Sequence, residues 1–557
     1  MSKCYIKEYS EAIKSGEVVV GWKIKAVINH LLDSMEDERF VFDPSYAHKR
    51  MRFMETNCLQ GYAPFYNQPV SLMLWQKAFW EAYYGFYMKD TGVRRFAEAV
   101  IEIARKNGKS TMLAADVNTD LFIGEGGISI CTASNDDRQA KFIWKEAAGM
   151  RQRLDVKNKI TSHNLVEIKN RKKNITVFRL SSKTQNKDGF NCKKVYYDEV
   201  HDALDDEIAD ALKRSQSTHR DKSFISCSTQ GHVVDGYFDN LLKIANDVLD
   251  DFDNNIRFLP FLFEQDSENE VWEGNRENRL WEKSNPSLKY GVKTWDYIEE
   301  QMALARISKE AKIKMLCKDF NIKQNNAESW LMLDEVENEE VFDLNEFRNC
   351  PYVAGCDLSL TNDLTAIALL FMKPNDNKKY IYMKYFLPVN KIHNSDDSGA
   401  RYKDWYKDGL IEQTGEFNND AGLVADWLLK MYKEYGIMPI KIGFDRWGSE
   451  SFVKKIKEYF YEDTAMPITQ SKNILNSPIR QAEDELKAKN INYNNNPILK
   501  WNLLNCVLEV DNRDKCQLAK PKNQPYKKID GAVSMVMALH TLNQNRDEFT
   551  RILNKGK

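Results

Sequence analysis

Apolar residues change their spacing twice along this chain. Between residues 5 and 90 they recur at helical intervals, most clearly in GWKIKAVINHLLDSMEDE at 21–38 and VSLMLWQKAFWEAYYGFY at 70–87. From residue 94 the pattern becomes short apolar runs alternating with helical ones. RRFAEAVIEIA and GGISICTAS read as strands, STMLAADVNTDLFI and DDRQAKFIWKEAAGM as helices, and NITVFRL, CKKVYYDE and KSFISCST as further strands. Strands that alternate with helices predict an α/β fold. Residues 246–273 are acid-rich, with Arg257 their one basic residue, and read as an exposed excursion or domain rim. A helical stretch of mixed charge follows at 294–320. LMLDEVENEEVFDLNEFRN at 331–349 lacks a core pattern and reads as a linker or covering arm. Strand-like runs resume at 352 with YVAGCDLSLTNDLTAIALLFMK, KKYIYMKYFLP and PIKIGFDRW, and the pattern closes on the helical AVSMVMALHTLNQ at 532–544.

These changes of pattern divide the chain into a helical segment at 1–60, an α/β domain at 61–335, a linker at 336–350 and a second α/β domain at 351–550. At 557 residues the chain is too long for one hydrophobic core. With 80 basic and 82 acidic side chains, it presents no overall basic field to a polyanion, so any nucleic-acid contact must rest on local patches or metal. Ten scattered cysteines without a C-x-x-C pair suit a reducing, cytosolic compartment better than zinc or disulfides. The start has no apolar signal region and no run approaches 18 uncharged apolar residues, so neither a secretory leader nor a membrane span is expected.

IARKNGKST at 103–111 ends as a phosphate-binding loop does, although Ile103 stands where G-x-x-x-x-G-K-[ST] has its first glycine. It lies between an expected strand and an expected helix. In that setting Lys109 would reach the terminal phosphates, Ser110 would face Mg²⁺, and the backbone N–H groups of Lys106, Asn107, Gly108, Lys109, Ser110 and Thr111 would cradle phosphate oxygens. A solvated basic turn is the competing reading. About ninety residues on, VYYDEVH supplies Asp198 and Glu199 at a strand end: Asp198 for Mg²⁺, Glu199 as general base. Ser228 and Thr229 end another strand and could sense the γ-phosphate or merely cap. Arg105 could clamp that phosphate with its fixed fork, and the Gln76 amide could read an adenine edge.

In the second α/β domain, Asp357 falls near the centre of an apolar strand, Asp445 at the end of another and Asp530 at the start of an apolar helix. Singly, each has an ordinary role; Asp530, for instance, is a common helix cap. Together they suit a site for two Mg²⁺ or Mn²⁺ ions that cuts phosphodiesters, with Asp363 as an extra ligand or orienting residue. His393 and His540 are the domain's only histidines, which favours hard, oxygen-ligated cations over zinc. Ten Lys and Arg at 151–183, and Lys520, Lys522, Lys527 and Lys528 before Asp530, are candidate phosphate contacts or solvated faces.

In order, LMLWQKAFW, IARKNGKST, ICTAS, VYYDEVH, FISCSTQG, WEKSNPSL, GCDLSLTNDLTA, GFDRWG, PITQSKNILNSPIRQAEDEL, NNNPILKWNLLNC and IDGAVSMVMAL resemble the large terminase subunit of tailed double-stranded DNA bacteriophages, over roughly 60–545. The resemblance implies a P-loop ATPase domain of the additional-strand type followed by a ribonuclease H-like nuclease. It implies Gln76 for adenine; Arg105 and Lys109 for the phosphates of ATP; Ser110 and Asp198 for Mg²⁺; Glu199 as catalytic carboxylate; Ser228 and Thr229 for coupling; and Asp357, Asp445 and Asp530 for the nuclease metals. It further implies double-stranded DNA, a portal protein, a small terminase subunit and a procapsid as partners. The same resemblance implies a homo-oligomeric ring on the portal, in the cytoplasm of an infected bacterium. Where relatives often carry histidine, this chain has Tyr493 and Asn494, for which no catalytic role is expected; Arg214 and Arg220 are the weak candidates for an arginine acting in trans. The competing enzyme reading is an ATP-dependent DNA translocase or helicase with a non-cleaving second domain.

Overall fold

A computed structural model describes residues 3–181, 190–234, 236–324, 329–359, 364–393, 400–445, 449–511, 513–521 and 527–555. Its contacts divide the chain into two compact units, meeting between residues 324 and 325.

The first unit is built on an eight-stranded sheet. In chain order its strands are β1 Glu98–Glu102, β2 Ser129–Ser134, β3 Thr161–His163, β4 Glu167–Asn170, β5 Ile175–Leu180, β6 Lys194–Asp198, β7 Ser223–Ser228 and β8 Phe258–Leu262. Their spatial order is β8-β1-β7-β6-β2-β5-β4-β3. β8 through β5 run parallel, and β4 and β3 extend the sheet antiparallel. β7 stands between β1, which feeds the IARKNGKST loop, and β6, which ends in Asp198; this is the additional-strand arrangement. β1, β6, β7 and β8 are almost wholly buried, which explains their continuous apolar runs.

β8 corrects the expectation of an exposed excursion at 246–273. Charged residues flank a buried FLPFL run that forms the sheet edge beside β1. The amino-terminal helices are also no separate body: Ile6, Tyr9, Ile24 and Val27 share one core with the sheet strands. Arg50, on the helix Ser45–Asn57, is buried and pairs with Asp116, and at 2.7 Å with Asp120, on α1 (Lys109–Ile123), the helix that follows the loop. Tyr84 and Tyr196 each donate to Asp116 at 2.6 Å, and Lys194 binds Asp120.

In the second unit a seven-stranded sheet contains β9 Pro351–Asp357, β10 Thr365–Met372, β11 Lys379–Leu387, β12 Ile411–Gln413, β13 Met438–Asp445 and β14 Ala465–Ile468. The path runs β12-β11-β10-β9-β13-β14, and Ile491–Asn492 pairs with β11 off this path. β9, β10 and β11 form an antiparallel meander, while β13 and β14 lie parallel to β9, the ribonuclease H-like order. The helix α2, Asp530–Gln544, crosses β9 so closely that a Cβ on Gly355 would sit 2.2 Å from the Ser534 carbonyl oxygen; only glycine fits.

Residues 331–349 cover this second core. Phe347 is fully buried, Phe342 N–H donates to Asn494 Oδ1 at 2.8 Å, and Tyr493 donates to the Val336 carbonyl. The unit boundary therefore falls ahead of the linker expected at 336–350. Tyr493 and Asn494 are engaged in holding this arm.

Candidate active sites

The loop between β1 and α1 turns on two left-handed residues, Lys106 at φ 65° and Gly108 at φ 84°. A Cβ on Gly108 would lie 3.0 Å from Met73 and 3.2 Å from Gln76, so glycine serves both the turn and the close approach. Lys109 is buried and reaches Asp198 at 3.1 Å and Glu199 at 2.7 Å. Burial works against its charge, but the two carboxylates outweigh burial and raise its pKa. Burial raises Asp198 despite Lys109, whereas Glu199, also buried, is held down by Lys109 and His201. Glu199 sits at φ 52°, ψ 47°, a left-handed conformation costing on the order of 1 kcal/mol for a residue with a Cβ. Its carboxylate lies against Lys109 of the loop.

Segments not assigned from sequence build the loop's floor. Asn107 is buried and turned inward: its amide donates to the Ala104 carbonyl at 2.9 Å and Asn285 Oδ1 at 3.2 Å, and accepts Ser287 N–H at 3.0 Å. Lys293 in turn holds Asn285 at 2.8 Å and Asp319 at 2.7 Å. Arg105 N–H donates to the Lys318 carbonyl at 3.0 Å, and the Arg105 side chain is exposed. Ile103 N–H donates to the Ser228 carbonyl at 3.0 Å, which joins the loop directly to the 228–230 segment. The Thr111 hydroxyl donates to Glu146 at 2.5 Å.

Beside the loop lies a cavity of about 470 Å³, whose lining includes Pro64, Phe65, Met73, Gln76, Tyr290 and Val292. The Gln76 amide is oriented by Met73 N–H at 2.9 Å and the Gly108 carbonyl at 3.4 Å. The cavity thus combines apolar walls with the Gln76 amide. Ser110, half-buried in the first turn of α1, and Asp198 offer oxygen ligands that fit Mg²⁺. Asp198 Oδ1 accepts Glu199 N–H at 3.0 Å and the Cys227 thiol at 3.2 Å, and a cation would relieve the burial of its charge.

In the second unit, Asp357 and Asp445 end the adjacent parallel strands β9 and β13, one residue beyond the Cys356–Phe444 register pair. Asp357 thus stands at the strand end, not near its centre, where ligands of α/β sheets gather. Asp530 opens α2. Ser534, one turn on, accepts Asp357 N–H at 3.2 Å and donates to the Asp530 carbonyl at 2.9 Å. Asn502 and Asn505 grip the Lys528 carbonyl, both at 3.1 Å, and Asn502 Oδ1 accepts Gly531 N–H at 2.7 Å. Gln470 donates to Asp357 Oδ1 at 3.0 Å. The fold brings the three carboxylates to one end of the sheet, and their hard oxygens suit Mg²⁺ or Mn²⁺. Among the described residues, no three His, Cys, Asp or Glu side chains are already gathered closely enough to hold a cation.

Asp363 and Lys522 lie outside the described residues. Burial lowers the Lys527 ammonium, while Lys528 contributes its carbonyl to the turn before Asp530. Arg214 is exposed and pairs with Asp210 at 3.0 Å; Arg220 is exposed in the turn that follows. Thr229 donates to the Gln230 carbonyl at 3.1 Å.

Two family profiles match this chain: "Terminase large subunit, ATPase domain" over residues 74–247 and "Terminase large subunit, endonuclease domain" over residues 252–545. The terminase large subunit of Lactococcus phage p2 is 22% identical over 485 residues, covering 84% of this chain and 87% of that protein. That of Lactococcus phage SK1 matches with the same identity and coverage. The crystal structure of the HK97 bacteriophage large terminase covers 89% of this chain and 99% of its own, at 20% identity and a TM-score of 0.47. The endonuclease profile starts at residue 252, yet β8 and the loop's floor, both beyond that point, belong to the first compact unit.

Proposed function

Since this chain belongs to the large terminase subunits, phage DNA-packaging proteins with an ATPase and an endonuclease domain, we propose that Lys109, Asp198 and Glu199 hydrolyse ATP and that Asp357, Asp445 and Asp530 cut DNA. The observation that carries the first assignment is the Lys109 ammonium seated between the two carboxylates at the mouth of the loop. On nucleotide binding, Lys109 exchanges them for β- and γ-phosphate oxygens. Glu199 is then free to take a proton from the water that attacks the γ-phosphorus. The bond to the β–γ bridging oxygen breaks, and ADP and phosphate leave. Arg105, exposed beside the loop, neutralises charge on the γ-phosphoryl group as it passes from ADP to water. Gln76 and the adjoining apolar walls take the adenine. Mg²⁺ held by Ser110 and Asp198 would supply charge neutralisation across the phosphates.

In the second unit, Asp357, Asp445 and Asp530 would hold two Mg²⁺ or Mn²⁺ ions, which lower the charge on the attacking and leaving oxygens of a phosphodiester. Gln470 and Ser534 keep Asp357 in register, and the two asparagines fix the turn that presents Asp530. Lys520, Lys527 and Lys528 serve the DNA backbone. ATP-driven translocation of double-stranded DNA into a procapsid, on a portal and with a small subunit, is the role these activities serve. It takes place in the host cytoplasm, with several copies in a ring. Among the described residues no helix is long and apolar enough to cross a membrane.

The test uses the full chain. Glu199→Gln should bind ATP and fail to turn it over, while Asp357→Asn should lose DNA cleavage and keep ATPase activity. Wild-type turnover by Glu199→Gln, or wild-type cutting by Asp357→Asn, would refute the corresponding assignment.

A further inference from the structure

The cavity beside the loop carries a carboxylate that the hydrolysis as described leaves unused. We propose that Glu146 is a specificity-determining residue: it accepts hydrogen bonds from the ribose hydroxyls of the nucleotide and so selects ribonucleotides over deoxyribonucleotides. The proposal rests on the reading that this cavity takes the nucleoside of ATP.

Glu146 lies on the helix Asp137–Leu154 and is only 9% exposed, yet it belongs to the cavity lining. Among the described lining residues it is the sole carboxylate, and Lys106 is the sole cation. Gly108 and Thr111 bring the nucleotide loop and the first turn of α1 to the same lining. The Thr111 hydroxyl donates to Glu146 Oε1 at 2.5 Å, which fixes the carboxylate beside that turn. The backbone next to it is pinned as well. Asn118, buried on α1, donates to the Ala147 carbonyl at 3.0 Å and to the Ala114 carbonyl of its own helix at 3.0 Å. Two contacts to one helix therefore set the position of Glu146 relative to the loop.

In a nucleotide the sugar joins the base to the phosphates. With the base at Gln76 and the phosphates on the loop, the sugar meets the stretch of lining that Gly108, Thr111 and Glu146 share. An ionised carboxylate only accepts, and it has room for about four hydrogen bonds, of which the Thr111 hydroxyl uses one. Ribose offers two adjacent hydroxyls, a match for the remaining capacity. Burial raises the Glu146 pKa against the pull of the Thr111 hydroxyl, and donors from the cavity side would relieve the same cost. A deoxy sugar presents C–H there and leaves a largely buried carboxylate short of partners. A site built to bond a substrate hydroxyl rejects the analogue that lacks it for this reason.

The experiment is isothermal titration calorimetry of the full chain, in Mg²⁺, with ADP, 2′,3′-dideoxy-ADP and inorganic pyrophosphate, so that no γ-phosphate is present to be hydrolysed. The wild type should hold ADP about 10–100-fold tighter than 2′,3′-dideoxy-ADP, the range for hydrogen bonds to a charged group. Glu146→Met, which keeps the bulk and removes the acceptor, should lose that preference by weakening ADP while binding 2′,3′-dideoxy-ADP within about twofold of the wild type. Glu146→Gln, which keeps one acceptor oxygen, should fall between. Equal wild-type affinity for the two nucleotides overturns the proposal, and so does an undiminished preference in Glu146→Met. Parallel weakening of both nucleotides in Glu146→Met overturns it too, because that marks a purely structural carboxylate. Pyrophosphate separates the two levels. If ADP binds no tighter than pyrophosphate, the cavity takes no nucleoside and the underlying reading fails; if ADP binds tighter but the sugar hydroxyls make no difference, only the ribose assignment fails.

Discussion

Asn107 offers a sharp test of how this loop is held. By position it should touch phosphate; by geometry its side chain faces away and bonds to Ala104, Asn285 and Ser287. Asn107→Ala removes three buried hydrogen bonds, each worth about 1 kcal/mol net. It leaves the Ser287 N–H and the Ala104 carbonyl without those partners, at about 1–3 kcal/mol for each group that finds no substitute. Water entering beside the exposed Arg105 and Lys106 would offset part of this, so about 2–3 kcal/mol is a reasonable loss. If the loop then favours a conformation that does not bind by that amount, apparent ATP affinity falls about 30–150-fold, since each 1.4 kcal/mol is tenfold. Titration with a fluorescent ATP analogue reads this directly. Asn285→Ala, remote from any phosphate, should weaken binding in the same direction. Unchanged affinity in both variants would refute the scaffolding account. A loss in Asn107→Ala alone would instead mean that Asn107 contacts the nucleotide itself.

Other consequences can be checked separately. Lys109→Ala should abolish ATP turnover while the full chain still nicks DNA in Mn²⁺, measured on supercoiled plasmid; retained ATPase activity would contradict the loop assignment. Arg50→Met strips Asp116 and Asp120 of a buried partner and should destabilise the first unit by about 3–5 kcal/mol in urea unfolding followed by tryptophan fluorescence; a change below about 1 kcal/mol would contradict the role given to this network. His30, pushed down to about 4 mainly by burial and then by Arg95, accepts from Arg95 at 2.8 Å. The unfolded chain therefore binds the extra proton between about pH 6.5 and 4, so His30's contribution is complete above that window and is lost as pH falls through it. Melting temperatures should show this acid loss in the wild type and lack that component in His30→Gln; identical pH profiles would refute it.

Much of this arrangement is legible before any coordinates. β1, β2, β6 and β7 follow from short runs that are buried almost throughout, β5 from an alternating one, and the Lys109, Asp198 and Glu199 cluster follows from strand ends in a parallel sheet. β8 is hidden because a five-residue strand is outweighed by the acids on either side of it. Residues 331–349 read as a linker because their anchors, Val336, Phe342 and Phe347, match neither a strand nor a helix period. The loop's floor is illegible for a different reason. Asn285, Lys293 and Asp319 are polar residues from irregular or distant segments, and their value lies in mutual hydrogen bonds that no local pattern encodes. Likewise Asn502 and Asn505 look like ordinary helix residues until the helix is seen beside the turn they hold.

Asn321 ends the last helix of the first unit, Lys309–Phe320, in a left-handed conformation at φ 55°. Its side chain accepts Gln230 N–H at 3.1 Å and donates to the Phe263 carbonyl at 2.7 Å. Three residues later the chain leaves for the second unit. Asn321 thus ties the end of that helix to the segments that follow β7 and β8, one on each side of β1 in the sheet. A single amide therefore makes the last turn of the first unit part of the framework around its nucleotide loop.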